Sequence, residues 1–370
     1  MTEPQLFWDW GTAYDLFISL EVLHEPAKFG VRGAWAAGVR ARLPPEARET
    51  LEQVRREEHP EFHWVYGLPE PKDGVAALWA LRQLAPVERL LALFFCPCTS
   101  PRGAEEILRQ VAARENWEEQ DRQALRAAWE DLDPCMEYEA PPSPERLAET
   151  LEWWAGAEEL GERYTEALGV YYEVFFAEEE RRIRPALQDA LSQAQERAKT
   201  LPLLDLLEEL SQGLRFDERP TAPELVLAPS YWCSPLMYFG NVSPEREILL
   251  FGGRPPDASL VPGEVVPDAM LRVLKALSDP TRLRILNYLS EEPLTPSELA
   301  RRLRLRAPTV IHHLKTLRLA GLVQFSLGAD KEDRRYAARP EAVERAWEIL
   351  RGFLGENRPE SPEENQTQGG

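Results

Sequence analysis

Apolar residues recur at three- and four-residue spacing along most of the first 215 residues, which predicts helices with one face in a core. Tyr14, Phe17, Ile18 and Val22 mark such a face on the first helix. Proline and glycine separate the segments that follow. Further helices are predicted over 46–58, 75–95, 103–114, 117–130, 144–172 and 178–212. We therefore predict a helical domain over residues 1–215.

The pattern changes near residue 216, where helical spacing gives way to short apolar runs bounded by Pro, Gly and Asn. The runs at 224–229, 235–239 and 247–251 predict a small β-element of two to four strands. Together with a Pro-rich linker, this element occupies residues 216–262. Residues 357–370 are rich in Pro, Glu, Gln and Gly, which predicts a disordered tail.

Residues 268–355 give the clearest pattern, because cap signals coincide with the ends of apolar periodicity. Asp279 is placed to cap one helix and Pro280 to begin it. Thr295 and Glu298 have the spacing of a capping box, and Gly321 stands where a helix ends. Helices are predicted over 268–277, from 280, 296–303, 308–320 and 340–353, with strands over 322–326 and 335–338.

Helices followed by a β-hairpin in this order predict a winged helix-turn-helix. The fold class is therefore mainly α, with an N-terminal helical domain, a small β-element and a C-terminal α+β winged helix.

The predicted helix 308–320 has two chemically different sides. Val310, Leu314 and Leu317 share one face and are expected to pack inward. The other side carries groups that can bond base edges and phosphates, and the hairpin adds positive charge at a wing. The candidate DNA-binding residues are Arg306, Thr309, His312, His313, Lys315, Thr316, Arg318, Lys331, Arg334 and Arg335.

Three ordered motifs in this region resemble those of the ArsR-type winged-helix repressors. They are the segment 277–286 (Leu-Ser-Asp-Pro-Thr-Arg-Leu-Arg-Ile-Leu), the pair Leu299-Ala300, and the segment 313–323 (His-Leu-Lys-Thr-Leu-Arg-Leu-Ala-Gly-Leu-Val). The resemblance covers about a quarter of the chain. It implies a transcriptional regulator, expected to be a repressor, that binds double-stranded operator DNA as a symmetric homodimer. The two recognition helices would then lie one helical turn of DNA apart, roughly 34 Å.

The sequence departs from that family at its common metal sites. The helix 296–303 has no Cys or His, and the final helix has no His, so no metal is expected in the DNA-binding module. Ile311 stands where a small hydroxyl residue is frequent. The upstream region is similar to the helical DUF5937 domain that is joined to some ArsR-type regulators, mainly at 225–230 and 249–252. That likeness implies a regulator with an extra domain and identifies no ligand.

Charge separates the two ends of the chain, which has 370 residues and a net charge of −20. Residues 1–267 have a balance of −22, residues 268–358 a balance of +5, and the tail 359–370 adds three acids. A basic module following an acidic domain fits a DNA reader controlled by a domain that senses an effector or forms oligomers. The effector would be a small molecule of unknown identity.

Composition excludes several other classes of protein. With 44% hydrophobic and 29% charged residues, the chain is globular. No apolar run approaches the ~18 residues of a membrane span, and the N-terminus has no secretory signal, so a cytoplasmic protein is expected. No phosphate-binding loop, nucleophile elbow or zinc-helix motif occurs, so neither an enzyme nor a cofactor is predicted.

Three alternatives remain open at this stage. Cys96 and Cys98 form a Cys-x-Cys pair that could sense metal or redox state, although buried thiols are the ordinary interpretation. The aromatic clusters could line an apolar ligand pocket or simply fill a core. The winged helix could dock another protein without reading DNA. A metal pair at His312 and His313 is disfavoured, because adjacent helical side chains diverge by about 100°.

Overall fold

A computed structural model describes most of the chain. The described residues are 3–57, 62–96, 100–130, 142–212, 214–216, 220, 222–264, 266–327 and 334–356. The chain divides into an N-terminal unit, Met1–Ser211 with Phe216–Arg254, and a C-terminal unit, Gln212–Arg215 with Pro255–Gly370. The predicted tail, Cys98, Cys135 and Lys331 lie outside the described residues. No helix in the described part is long and apolar enough to cross a membrane.

Helices make up most of the N-terminal unit. They are α1 (Thr12–His24), α2 (Gly33–Ala41), α3 (Pro45–Glu57), α4 (Phe62–Tyr66), α5 (Gly74–Arg82), α6 (Pro86–Phe94), α7 (Ala104–Arg114), α8 (Glu119–Glu130), α9 (Pro144–Ala155), α10 (Ala157–Tyr171), α11 (Ala177–Ala198) and α12 (Leu203–Ser211). A π-helical turn, Tyr172–Phe176, joins α10 to α11.

The helices predicted over 75–95, 144–172 and 178–212 are each divided. Pro86 begins a new helix because its missing N–H costs nothing at that position. Gly156 caps the end of α9 and precedes α10, and α12 begins after Pro202. The single apolar face expected on α1 was wrong, because every residue from Thr12 to Leu23 is buried.

A mixed four-stranded sheet belongs to the N-terminal unit. Its strands are β1 (Gln5–Trp8), β3 (Glu224–Ser230), β4 (Tyr238–Ser243) and β5 (Arg246–Gly252), and their order across the sheet is β1-β3-β5-β4. Strand β2 (Leu214–Phe216) belongs to a second sheet. β1 pairs in parallel with β3, and β3 pairs in parallel with β5. The β-element predicted from residue 216 onward therefore pairs with an N-terminal strand that the sequence pattern did not predict.

A buried carboxylate connects α1 to the end of β3. Asp15 is fully buried and accepts hydrogen bonds from Ser230 Oγ (2.6 Å), Tyr231 N (3.1 Å) and Trp232 N (2.8 Å). Burial raises the pKa of Asp15 to about 6, although these hydrogen bonds oppose the rise. The connection joins segments more than 200 residues apart.

The C-terminal unit confirms the winged helix-turn-helix fold. Its elements are α13 (Asp268–Leu277), α14 (Pro280–Glu291), α15 (Pro296–Leu303), α16 (Ala307–Leu319), β6 (Val323–Leu327), β7 (Tyr336–Ala338) and α17 (Pro340–Glu356). β6 and β7 are antiparallel and form the wing. Ile285, Leu299 and Leu314 are at the centre of one apolar core to which α14, α15 and α16 all contribute.

Candidate nucleic-acid interface

Local hydrogen bonds fix the helix-turn-helix segment. Glu298 N donates to Thr295 Oγ1 (3.3 Å) and Thr295 N donates to Glu298 Oε2 (2.8 Å), which completes the predicted capping box. Arg304 follows the last residue of α15, and its left-handed backbone (φ 58°) turns the chain. Leu305 N donates to Ala300 O (3.0 Å) and closes this turn. α16 then begins at Ala307.

α16 has the two sides that the sequence predicts. Val310, Leu314 and Leu317 are fully buried, whereas Thr309, His312 and Lys315 are exposed. Ile311 is also on the outer side and is 53% exposed. This outer side therefore offers hydroxyl, imidazole and ammonium groups together with one aliphatic side chain, which can contact a thymine methyl group.

Three further candidates on α16 are partly buried. Thr316 Oγ1 donates to His312 O within the helix (3.1 Å). His313 is half-buried, and its Nδ1 has no hydrogen-bond partner among the described residues. The Arg318 guanidinium lies over the Phe325 ring, 5.1 Å from its centroid, and burial lowers the pKa of Arg318 to about 10. Arg318 is therefore packed against β6, although its position on the helix suggested an exposed flank.

The described part of the wing places its two arginines differently. The Arg334 guanidinium lies 5.7 Å from the centroid of the Phe325 ring, so that ring contacts two cations. Arg335 Nη1 donates to Pro293 O (3.1 Å) and lies 3.5 Å from Glu298 Oε2, while the Arg335 side chain remains 52% exposed. Arg335 thus contacts the capping box of α15. The contact of Phe325 with two arginines was not predicted from the sequence, because it depends on the position of β6 beside α16.

Arginines are concentrated just before α16. Arg301, Arg304 and Arg306 are all exposed, and only Arg306 was a candidate. Arg302 is paired with Glu292 (2.7 Å). All four arginines belong to the segment 301–306.

The cysteine alternative in the N-terminal unit gains no support from the described residues. Cys96 is buried and its Sγ donates to Asn241 O (3.3 Å), and burial raises the pKa of Cys233 far above its ordinary value. The described residues contain no group of three or more His, Cys, Asp or Glu that could hold a metal. Among the aromatic clusters, Trp154, Tyr171 and Trp232 are core residues with almost no exposure.

Comparison with known proteins finds relatives of the C-terminal unit. Residues 279–324 match the family described as "Bacterial regulatory protein, arsR family". The chain is 37% identical over 54 residues to the transcriptional repressor SdpR of Bacillus subtilis (strain 168); these residues are 15% of this chain and 60% of the repressor. The chain thus matches less than two thirds of that relative's length.

Two solved structures are also similar to part of the chain. An ArsR-like transcriptional regulator from Rhodococcus sp. RHA1 is 30% identical, and the match covers 24% of this chain and 79% of that one, with a TM-score of 0.22. The crystal structure of a second ArsR family transcriptional regulator is 29% identical, over 25% of this chain and 96% of the other, also with a TM-score of 0.22. The family match shows that residues 279–324 of this chain are a helix-turn-helix domain of the ArsR family.

Proposed function

We propose that the protein is a transcriptional repressor that reads operator DNA with α16 and the wing. The observation that carries the proposal is the exposure of Thr309, His312 and Lys315 on a helix whose opposite face is fully buried. A helix anchored in this way can enter the major groove with polar groups directed at base edges. The ArsR-family match over the same residues supports it. As a DNA reader, the protein would act in the cytoplasm.

The charge distribution indicates that one DNA-binding module is a weak binder. The balance of +5 over residues 268–358 supplies limited phosphate attraction, and the balance of −22 over residues 1–267 opposes it. Stable occupancy of an operator then requires two modules and correct base contacts. We further propose that the acidic N-terminal unit controls this binding in response to a small molecule.

Exposed apolar side chains on α13 and α17 support a homodimer. Leu274 is 39% exposed, Trp347 53% and Leu354 65%. α13 and α17 pack against each other within the C-terminal unit. A second copy covering these side chains would remove apolar surface from water and bring two copies of α16 together.

The test is DNA binding by the full-length protein, measured by fluorescence anisotropy on genomic fragments selected for binding. Changing Arg334 and Arg335 to Gln should weaken binding to all sequences alike and flatten the salt dependence, because these groups would contact phosphates. His312→Ala should mainly reduce discrimination between selected and random fragments. Arg284→Gln, an exposed charge on α14, is the matched control and should have little effect on either quantity.

Two outcomes would contradict the proposed docking. One is DNA affinity that changes with neither the wing variants nor His312→Ala. The other is no binding to any genomic fragment at low salt, which would favour a winged helix that docks another protein.

A further inference from the structure

A cavity of about 290 Å³ lies inside the N-terminal unit, between α1, α3, α10 and the edge strand β4. This volume would hold roughly ten water molecules, and it is near the lower end of the range for ligand pockets. Most of the wall is apolar. Its aromatic and aliphatic residues include Phe17, Leu51, Val54, Phe62, Tyr164 and Phe239. The wall therefore favours a small ligand with an apolar body.

Charged groups are also part of the cavity wall. Lys28 donates to Glu21, which also accepts from Tyr238 Oη (2.5 Å), and Arg55 Nη2 lies 3.8 Å from the same carboxylate. The wall thus contains two cations and one carboxylate, in a unit that is otherwise strongly acidic. Glu25 pairs with Arg55 (2.8 Å) from outside the wall.

The Lys28 ammonium has capacity for another acceptor. An ammonium carries three N–H donors, and within the described part of the chain the acceptor recorded for Lys28 is Glu21. The Glu25 side chain is 50% exposed, and an incoming anion can take its place on Arg55. A ligand carboxylate between Lys28 and Arg55 would form charge-assisted hydrogen bonds beside an apolar wall.

We propose that this cavity binds a small apolar carboxylate, with the hydrocarbon part among Phe17, Val54 and Phe62 and the carboxylate bonded to Lys28 and Arg55. Such a ligand would be the effector of the regulator; that role rests on the proposed function, whereas the binding itself does not. The ligand would contact α1, the helix whose Asp15 holds the end of β3.

The experiment uses three probes of equal length: 3-phenylpropionate, 3-phenylpropan-1-ol and 3-phenylpropylamine. Each is titrated into the full-length protein without DNA, by isothermal calorimetry at fixed ionic strength. The acid should bind with a dissociation constant below about 1 mM and at least about tenfold tighter than the alcohol and the amine. Lys28→Met should reduce acid binding about tenfold and leave alcohol binding unchanged.

Two matched pairs of variants assign the binding to this cavity. Val54→Phe, which fills the cavity, should weaken both the acid and the alcohol, whereas Val75→Phe on α5 should not, since Val75 is 57% exposed. Lys199→Met, an exposed lysine outside the cavity, is the control for Lys28→Met and should leave acid binding unchanged. Retained alcohol binding shows that the Lys28 variant is folded.

The proposal is overturned if the acid binds no more tightly than the alcohol or the amine, if it shows no saturable binding, or if Lys28→Met and Lys199→Met behave alike. A separate measurement repeats the anisotropy assay with saturating acid. Acid binding without any change in DNA affinity would leave the site intact and contradict its regulatory role. DNA binding without acid binding would contradict only the site.

Discussion

The interactions that stabilise each of the two units internally differ in their range along the chain. In the C-terminal unit, caps and turns connect residues a few positions apart, and α14, α15 and α16 share one apolar core. In the N-terminal unit, α1 is buried on all sides, and its polar side chains bond to distant segments: Asp15 to the end of β3, and Thr12 to Glu180. Glu180 also accepts from Gly74 N (2.8 Å). Single substitutions in the N-terminal unit should therefore affect segments far away in the sequence, whereas those in the C-terminal unit should act locally.

The largest effect should come from Gly161→Ala in the N-terminal unit. A Cβ at position 161 would lie 2.2 Å from the backbone oxygen of Pro86, so α6 and α10 must move apart. We expect a loss of about 3 kcal/mol in the free energy of unfolding. Hydrogen exchange read by mass spectrometry should show lost protection in both helices.

Gly38→Ala is the matched control, because nothing lies within 4 Å of its Cβ position in α2. It should raise stability by up to about 1 kcal/mol, as alanine favours a helix more than glycine does. Equal effects at positions 38 and 161 would contradict the tight packing of α10 on α6.

Asp15→Asn should have the next largest effect. The amide replaces one accepting oxygen with a donor, so at least one of the N–H groups of Tyr231 and Trp232 loses its acceptor in a dry site. We expect a loss of about 2 kcal/mol, and lost exchange protection at the end of β3 although the substitution is in α1. Asp189→Asn, at an exposed position on α11, should change neither quantity. A purely local effect around position 15 would mean that α1 does not hold the strand.

The same difference in range explains what the sequence could predict. The capping box needs only Thr295 and Glu298, three positions apart, and the structure forms it as predicted. The pairing of β1 with β3 joins Phe7 to Val226, and no local pattern indicates which distant strand will be the partner. Asp15 looks like a solvated residue of an amphipathic helix until β3 is known to end beside it.

The same limit applies to the candidate interface, where the pattern within one helix could be predicted and a contact between two elements could not. Helical periodicity separated the buried side of α16 from the exposed side correctly, at Leu314 and at His312. It could not indicate that Arg318 packs on Phe325, because that contact depends on where β6 lies. A helix pattern therefore assigns faces well, and it assigns residues at the border between faces poorly.

Thr295→Ala tests the short-range character of the C-terminal unit. Loss of the cap leaves Glu298 N without its acceptor, and we expect a loss of about 1 kcal/mol. The change in hydrogen exchange should be confined to α15 and the wing arginine that contacts Glu298. Ser297→Ala, exposed on the same helix, should be nearly neutral. Lost protection in distant helices would contradict the local account.

The smallest effect should be a pH dependence of the unfolding free energy that arises from two histidines of the N-terminal unit. Burial lowers the pKa of both His24 and His63 below the ordinary value of about 6.5, so the unfolded chain takes up protons more readily than the folded unit. Stability is therefore lost as the pH falls through 6.5 toward the folded values. Asp15, whose pKa is raised to about 6, has the opposite sign, since its contribution is lost as the pH rises toward that value.

Replacing both histidines with Gln leaves Asp15 unchanged, so the difference in unfolding free energy between wild type and variant isolates the histidines. That difference should change between about pH 7 and pH 5 in favour of the variant. A constant difference across this range would mean that neither imidazole titrates differently in the folded and unfolded chains.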